Sequence, residues 1–520
     1  MAVGIFQLLH EKAELLKTKN DPRYFTAAHW MVDDAKERKR RFVNLDFENL
    51  KRTVISLSEK ATAIVKWESL DRGFNRVFKF ELDNEETLYA KFPTSVVGPR
   101  QYIVNSEVAT MKYLQKHTAL PIPQVLDWDD ASNNPINAEY IITAGAVGMP
   151  LEWRWQSQPK EYHEALIKDT ASLYECFDKL NLPGYGSIYF SKLLPTNCPR
   201  IKIDEEFCIG PSAFALFELT GKDVDFLHIK SLQRYVGPWK TSKEFSLAAI
   251  DRGRKIAELS KIPKERAAHK GTKQELFALL DRLQALVEEF FSSPAVQLPS
   301  QPILLHPDLS PSNTFVGKTG DWNITGIIDW QWASIEPSFI WQYKKPFWLT
   351  AYASQVRQLH YPSLLASADE QIAAASPKLS SIISHPGEAF LPFFIVWDVL
   401  SIGVTQFTKH ILAMCEFWDT VSGKTEKCVF ELTDQELKLQ AEREEDMMEE
   451  LGLQAQVLDY LEISHDGWVS THRWKSVQLK YQTLLRFFKE NLKKDREQGT
   501  RQKWTKEYTR SIWPFPGRYN

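Results

Sequence analysis

Apolar and polar positions alternate most cleanly between residues 61 and 93, where 61–67, 76–82 and 87–92 predict three β-strands, with Asp83-Asn84-Glu85-Glu86 as a turn. In the third, Tyr89 and Lys91 share one face while Leu88, Ala90 and Phe92 share the other, so a small antiparallel sheet follows. The period then changes. From about residue 102 to 117, Val104, Val108, Met111 and Leu114 recur at helical spacing, and Glu107 falls on the same stripe, where a carboxylate is costly unless it meets a cation. Pro121 and Pro123 end that helix, and 140–143 predicts a further strand closed by Ala144 and Gly145.

Beyond that break the pattern is mostly helical. Residues 273–291 carry Leu276, Leu279, Leu280, Leu283, Leu286, Val287 and Phe290 on one face, with Thr272 and Glu275 placed as a capping box. Short strands at 303–305, 314–316 and 324–328 surround a turn at 317–320. Helical character returns from about Pro346. The apolar run 389–404, interrupted by Pro392 and Asp398, reads as one buried helix too short to span a bilayer. A charged helix begins near Thr433, with Glu436 three residues on, and its acidic 435–451 part reads as a solvated face.

Composition narrows the class. At 520 residues the chain exceeds the usual single core, so two or three lobes are expected. Its 64 basic and 67 acidic side chains nearly cancel, which leaves no global field for nucleic acid or an anionic membrane, and the net-basic stretch 489–510 reads as a solvated helix. Neither a nucleic-acid partner nor an integral membrane segment is expected. Cys176, Cys198, Cys208, Cys415 and Cys428 lie far apart without metal-ligand spacing and read as free thiols. The first twenty residues carry Glu11 and Glu14 and no long apolar run, so no presequence is convincing.

Chemistry concentrates in His306-Pro307-Asp308-Leu309-Ser310-Pro311-Ser312-Asn313, an H-x-D-x-x-x-x-N pattern between two strands, with Asp329 closing the next. A phosphoryl-transfer site needs one carboxylate to orient and deprotonate the attacking hydroxyl, and oxygen ligands for a Mg²⁺ that bridges nucleotide phosphates. Asp308 fits the first role; Asn313 and Asp329 fit the second. Lys91 and Glu107 are each a charge in an expensive place, and together they fit the cation that meets phosphate and the carboxylate that holds it. The loop between the first two strands keeps a single glycine, Gly73, before Phe74 and Asn75, so its backbone approaches phosphates less closely than a glycine-rich loop does. His306 reads as a hydrogen-bond anchor of its loop rather than a proton carrier, because Asp308 is the better-placed base. Trp322, Trp330, Trp332, Trp341, Trp348 and Tyr352 read as core packing in preference to an acceptor wall, and Glu336 is a candidate for a cationic acceptor only by its nearness to Asp329.

These residues resemble the aminoglycoside phosphotransferase and choline-kinase-like superfamily, through 305–313 and Gly326-Ile327-Ile328-Asp329-Trp330-Gln331. Within it the chain is most similar to fungal proteins of the altered inheritance of mitochondria protein nine type, through 21–26, 73–78, 106–111, 207–211, 237–240 and 513–515. The resemblance implies an α+β, bilobal protein-kinase-like fold with a small antiparallel-sheet N-lobe and a larger, mainly helical C-lobe. It gives Lys91, Glu107, Asp308, Asn313 and Asp329 the roles above, and makes 140–145 a hinge whose backbone, at Ile142 and Ala144, faces adenine. Arg72 stands where relatives often carry a second glycine.

The expected organisation is an N-terminal helical extension over 1–58, an N-lobe over 59–145, a C-lobe with the catalytic and metal-binding loops over 146–345, and a helical remainder with a basic tail over 346–520. The expected activity is ATP- and Mg²⁺-dependent transfer of the γ-phosphate to a hydroxyl of a small-molecule acceptor. The rival is a catalytically weak nucleotide-binding protein that supports mitochondrial maintenance through protein contacts. Mitochondrial location follows from the resemblance alone, with the cytoplasm as the alternative.

Overall fold

The three predicted strands form part of a larger sheet. The computed structural model describes residues 21–25, 27–70, 73–153, 160–219, 234–259, 268–318, 323–350, 362–384, 387–422, 428–498 and 513–515. In it β2 (Ile64–Ser69), β3 (Asn75–Leu82), β4 (Thr87–Pro93), β6 (Tyr140–Ala144) and β5 (Val125–Asp129) pair in that spatial order, every neighbour antiparallel. Alternation sends Phe78, Phe80, Leu82, Leu88, Ala90 and Phe92 to one face, where they bury with Leu50 and Val54 of a helix, Phe47–Ser56. The register places Val77 opposite Lys91 and Lys79 opposite Tyr89 on the other face.

Two N-terminal helices, α1 (Asp34–Arg40) and α2 (Phe47–Ser56), precede the sheet, and β1 (Ala28–Trp30) pairs with β15 (Trp468–Ser470) near the other end of the chain. The N-terminal extension is therefore not purely helical; residues 1–20 lie outside the described set. After β4 comes α3 (Arg100–His117), which is buried at every position from Ile103 to Met111 because it lies between the sheet and the main core. That core gathers α4 (Lys160–Asp178), α5 (Ser242–Leu259) and α6 (Lys273–Ser292), the last with both hydrogen bonds of its Thr272/Glu275 capping box. Small sheets complete it: β8 (Ser187–Phe190) with β10 (Phe207–Gly210) and β9 (Ile201–Lys202); β11 (Pro302–Leu305) with β14 (Ser334–Pro337); and β12 (Thr314–Val316) between β13 (Ile324–Ile327) and β7 (Met149–Pro150).

Several expectations need correction. Residues 389–404 are not one helix: Pro392 sits in the first turn of the short helix Leu391–Ile395, and Gly403, at φ 84°, separates Val399–Ile402 from α7 (Val404–Glu416). The charged helix α8 (Asp434–Leu461) has its Thr433/Glu436 capping box, yet Gln440, Met447 and Glu450 on it are buried against the rest of the chain. The basic stretch 489–510 begins as the last turns of α9 (Trp474–Glu497); Val477, Tyr481 and Leu485 earlier on that helix are buried, whereas within the stretch most described side chains are exposed, Leu492 is buried, and 499–510 lie outside the described set. Cys415 and Cys428 are not free thiols; the fold brings their Cα atoms to 5.3 Å and they form a disulfide. Among the described residues no helix is long and apolar enough to cross a membrane.

Leu50 is wholly buried between α2 and the sheet. Leu50→Ala is expected to lower unfolding free energy by about 2–5 kcal/mol, read from urea titration of the full chain.

Candidate functional site

Lys91 leaves β4 on the face opposite the phenylalanine core, where its ammonium meets both Glu107 carboxylate oxygens at 2.8 and 2.9 Å and Asp329 Oδ1 at 2.5 Å. Glu107 comes from the middle of α3 with 5% of its side chain exposed. Asp329 follows β13 at φ 64°, a left-handed conformation that Asp tolerates better than most side chains. Burial works against the Lys91 ammonium, but Asp329 and Glu107 together hold its pKa above the ordinary lysine value. Burial likewise pushes the Glu107 carboxyl upward, against the pull of Lys91.

The loop between β11 and β12 is locked from within. His306 is buried; its Nε2 donates to the Ile328 carbonyl at 3.0 Å, and its Nδ1 accepts the Asp308 N–H at 3.2 Å. A carbonyl can only accept and an N–H can only donate, so one neutral tautomer satisfies both bonds. Burial depresses the His306 pKa to about 4, which agrees with that neutral ring. The Ile328 N–H donates in turn to the Asn313 carbonyl at 3.0 Å, tying the strand before Asp329 to the loop that bears Asp308. Asn313 Nδ2 donates to the Asp308 carbonyl and to its Oδ2, both at 3.0 Å. Burial, with the negative Asp329 next, raises the proton affinity of Asp308, opposed by hydrogen bonds from Ser310 and Asn313.

With Nδ2 committed to Asp308, Asn313 presents Oδ1 to any cation. Asp329 Oδ2 likewise accepts no hydrogen bond among the described residues, and no group of three or more His, Cys, Asp or Glu among them is placed to hold a metal. Two hard oxygens, short of a protein cage, suit a Mg²⁺ carried mainly by phosphate and water oxygens.

The other predicted positions divide. Gly73 sits at φ 72° in the turn before β3, the exposed Phe74 ring meets Trp332 edge-on at 5.0 Å, and Asn75 is buried with no donor to its Oδ1 among the described residues. Arg72, Trp322 and Tyr352 lie outside the described set. Ile142 is not brought to the site: β4 and β5 flank its backbone, and its side chain is wholly buried in the sheet's core. The Ala144 N–H is taken by the Gln124 carbonyl and the Gly145 N–H by that of Thr87, so sheet pairing runs past the predicted hinge. A cavity of about 420 Å³ opens just beyond, lined by Thr87, Gly145, Ala146, Val147, Gly148, Gly317 and Lys318. Tyr89 escaped the sequence reading as a site residue although it was placed on the Lys91 face; a Cβ on Gly145 would lie 3.4 Å from its ring. Trp330, Trp341 and Trp348 are core residues, whereas Trp332 reaches the Gly73 turn through Phe74. Glu336 is closed off in a buried ion pair with Lys344 at 2.9 Å, and Ser334 adds a hydrogen bond at 2.6 Å.

The chain belongs to the phosphotransferase enzyme family, whose profile matches residues 68–338, a span that holds the whole Lys91–Asp329 cluster. A subtelomeric hrmA-associated cluster protein of Aspergillus fumigatus is 31% identical over 56% of this chain and 62% of its own length. The mitochondrial altered inheritance of mitochondria protein 9 of Komagataella phaffii is 24% identical over 58% of this chain and 51% of its own. The chain thus spans less than two thirds of either relative. Among solved structures, a putative aminoglycoside phosphotransferase of Ralstonia eutropha aligns with 78% of this chain and 96% of its own at 10% identity and a TM-score of 0.40.

The depressed His306 pKa has a pH consequence. The unfolded chain takes up a proton near pH 6.5 and the folded one only near 4, so stability is complete above that window and falls as pH drops from 6.5 to 4. The loss is on the order of 3 kcal/mol. Unfolding midpoints measured across that range should show a pH slope for wild type that His306→Asn flattens.

Proposed function

We propose that this protein transfers the γ-phosphoryl group of ATP, accompanied by Mg²⁺, to a hydroxyl of a small-molecule acceptor, within a bilobal protein-kinase-like arrangement. The N-lobe is assigned to 59–145, the catalytic loops to 146–345, and the flanks to 1–58 and 346–520. The observation that carries the reading is the meeting of Lys91, Glu107 and Asp329 from three separate elements, with Ile328 hydrogen-bonded to the loop that fixes Asp308 against Asn313.

Lys91, held by Glu107, faces the nucleotide phosphates as a fixed cation. Mg²⁺, when bound, neutralises charge that develops between the β- and γ-phosphates, and Asn313 Oδ1 and Asp329 would hold it. Asp308 accepts the acceptor's hydroxyl proton as its oxygen bonds to the γ-phosphorus and the bond to the bridging β-γ oxygen breaks, releasing ADP. Its raised proton affinity suits that role. Because Ile142 is sealed inside the sheet, the nucleobase is assigned to the backbone from Gly145 to Gly148, where the cavity opens, with the Tyr89 ring as a flat neighbour. Gly73, Phe74 and Asn75 form the turn over the phosphates. The mitochondrial name of the Komagataella phaffii relative supports a mitochondrial location.

A second reading, binding of nucleotide without efficient turnover, is favoured by the single glycine of the Gly73 turn. Detection of phosphorylated products from a metabolite extract separates the two. Wild type should yield them, and Asp308→Asn should lower turnover at least ~100-fold while ATP still raises the melting temperature. Asp329→Asn should weaken the additional stabilisation that Mg²⁺ gives over ATP alone. Nucleotide binding with no product in any fraction establishes the second reading; full turnover by Asp308→Asn removes the proposed base.

A further inference from the structure

The Gly73 turn lacks the glycines that let a phosphate-facing loop shape itself, yet its main chain is held from outside. Gly73 is at φ 72°, and its carbonyl accepts a hydrogen bond from Arg41 Nε. The next carbonyl, that of Phe74, accepts from Thr94 twice, through N at 3.2 Å and Oγ1 at 2.7 Å. Arg76, one residue past Asn75, donates through Nη2 to the Pro22 carbonyl at 2.7 Å. Two of these three contacts come from the N-terminal segment.

Arg41 is the most committed of them. It caps the C-terminus of α1, is 5% exposed, and its Nη1 donates to the Glu37 carbonyl at 2.8 Å and to Glu37 Oε2 at 2.7 Å. Its guanidinium carbon lies 3.9 Å from the ring centroid of Trp30 on β1. A guanidinium that is salt-bridged on one edge and stacked on an indole has little freedom left, so the carbonyl it meets is fixed too. In a planar trans peptide the C=O and the following N–H point in opposite directions. Fixing the Gly73 carbonyl therefore fixes the direction of the Phe74 N–H.

We propose that Arg41 is a positioning residue for the nucleotide loop, setting by side-chain contact the backbone orientation that a second glycine would otherwise permit. The inference rests on the nucleotide site assigned above. It extends that site to a part of the chain outside the span matched by the family profile.

Calorimetric titration of the full chain with ATP plus Mg²⁺ tests it. Arg41→Met should weaken binding at least ~10-fold, because the loop loses its fixed geometry while Lys91, Asn313 and Asp329 remain. Arg41→Lys, which keeps a charge opposite Glu37 and loses the guanidinium fork, should fold like wild type and still bind more weakly; it serves if Arg41→Met does not fold. Leu50→Ala destabilises the same N-terminal region without touching the turn and should leave affinity within about twofold. Unchanged affinity in both Arg41 variants overturns the inference, as does an equal loss in Leu50→Ala. Absence of nucleotide binding by wild type overturns the assigned site itself, a result distinct from both.

Discussion

A lysine drawn between two carboxylates is the contact on which this architecture depends. Lys91, Glu107 and Asp329 lie on a strand, a helix and a post-strand turn, and the last is 238 residues from the first. Burying a charge is costly, and removing one partner of a buried pair leaves the other uncompensated, at about 3–5 kcal/mol. Hence the sheet, α3 and the turn after β13 are held in mutual register by electrostatics as well as by packing. The neutral His306 extends that register to the next loop, since its two ring nitrogens bond to Ile328 and Asp308.

The near balance of 64 basic and 67 acidic residues gains meaning beside this cluster. A protein with no positive surface field must bind phosphate by a few placed groups. On the proposed reading the Lys91 ammonium is one such group, its position set by Glu107 and Asp329.

The sequence was most legible where short-range rules govern. Strand alternation around Lys91, both capping boxes and the spacing from His306 to Asn313 all report on neighbours a few residues away. Legibility failed where partners are remote or patterns are broken. The strand β5 carries Asp127 and Asp129 and an irregular register after Val125, so its alternation is hidden. Tyr140–Ala144 reads as strand without revealing that it is flanked on both sides, which seals Ile142. Arg41 gave no signal, since a buried guanidinium is indistinguishable in sequence from the more exposed charges beside it at Arg38, Lys39 and Arg40. The pairing of Cys415 with Cys428 likewise depends on tertiary placement.

The three-residue pairing of β1 with β15 joins segments about 440 residues apart. During synthesis the N-terminal part of a chain emerges and folds first. Here Trp30, the indole beneath Arg41, belongs to a strand whose partner, Trp468–Ser470, is made about 440 residues later. The sheet and α3 can assemble early, but the segment that grips the Gly73 turn completes its own pairing only after residue 470 has been made. A nascent chain that has not yet reached residue 470 therefore holds its ion cluster without the full support of the Gly73 turn, so that support comes well after the loops bearing Asp308 and Asp329 have been made.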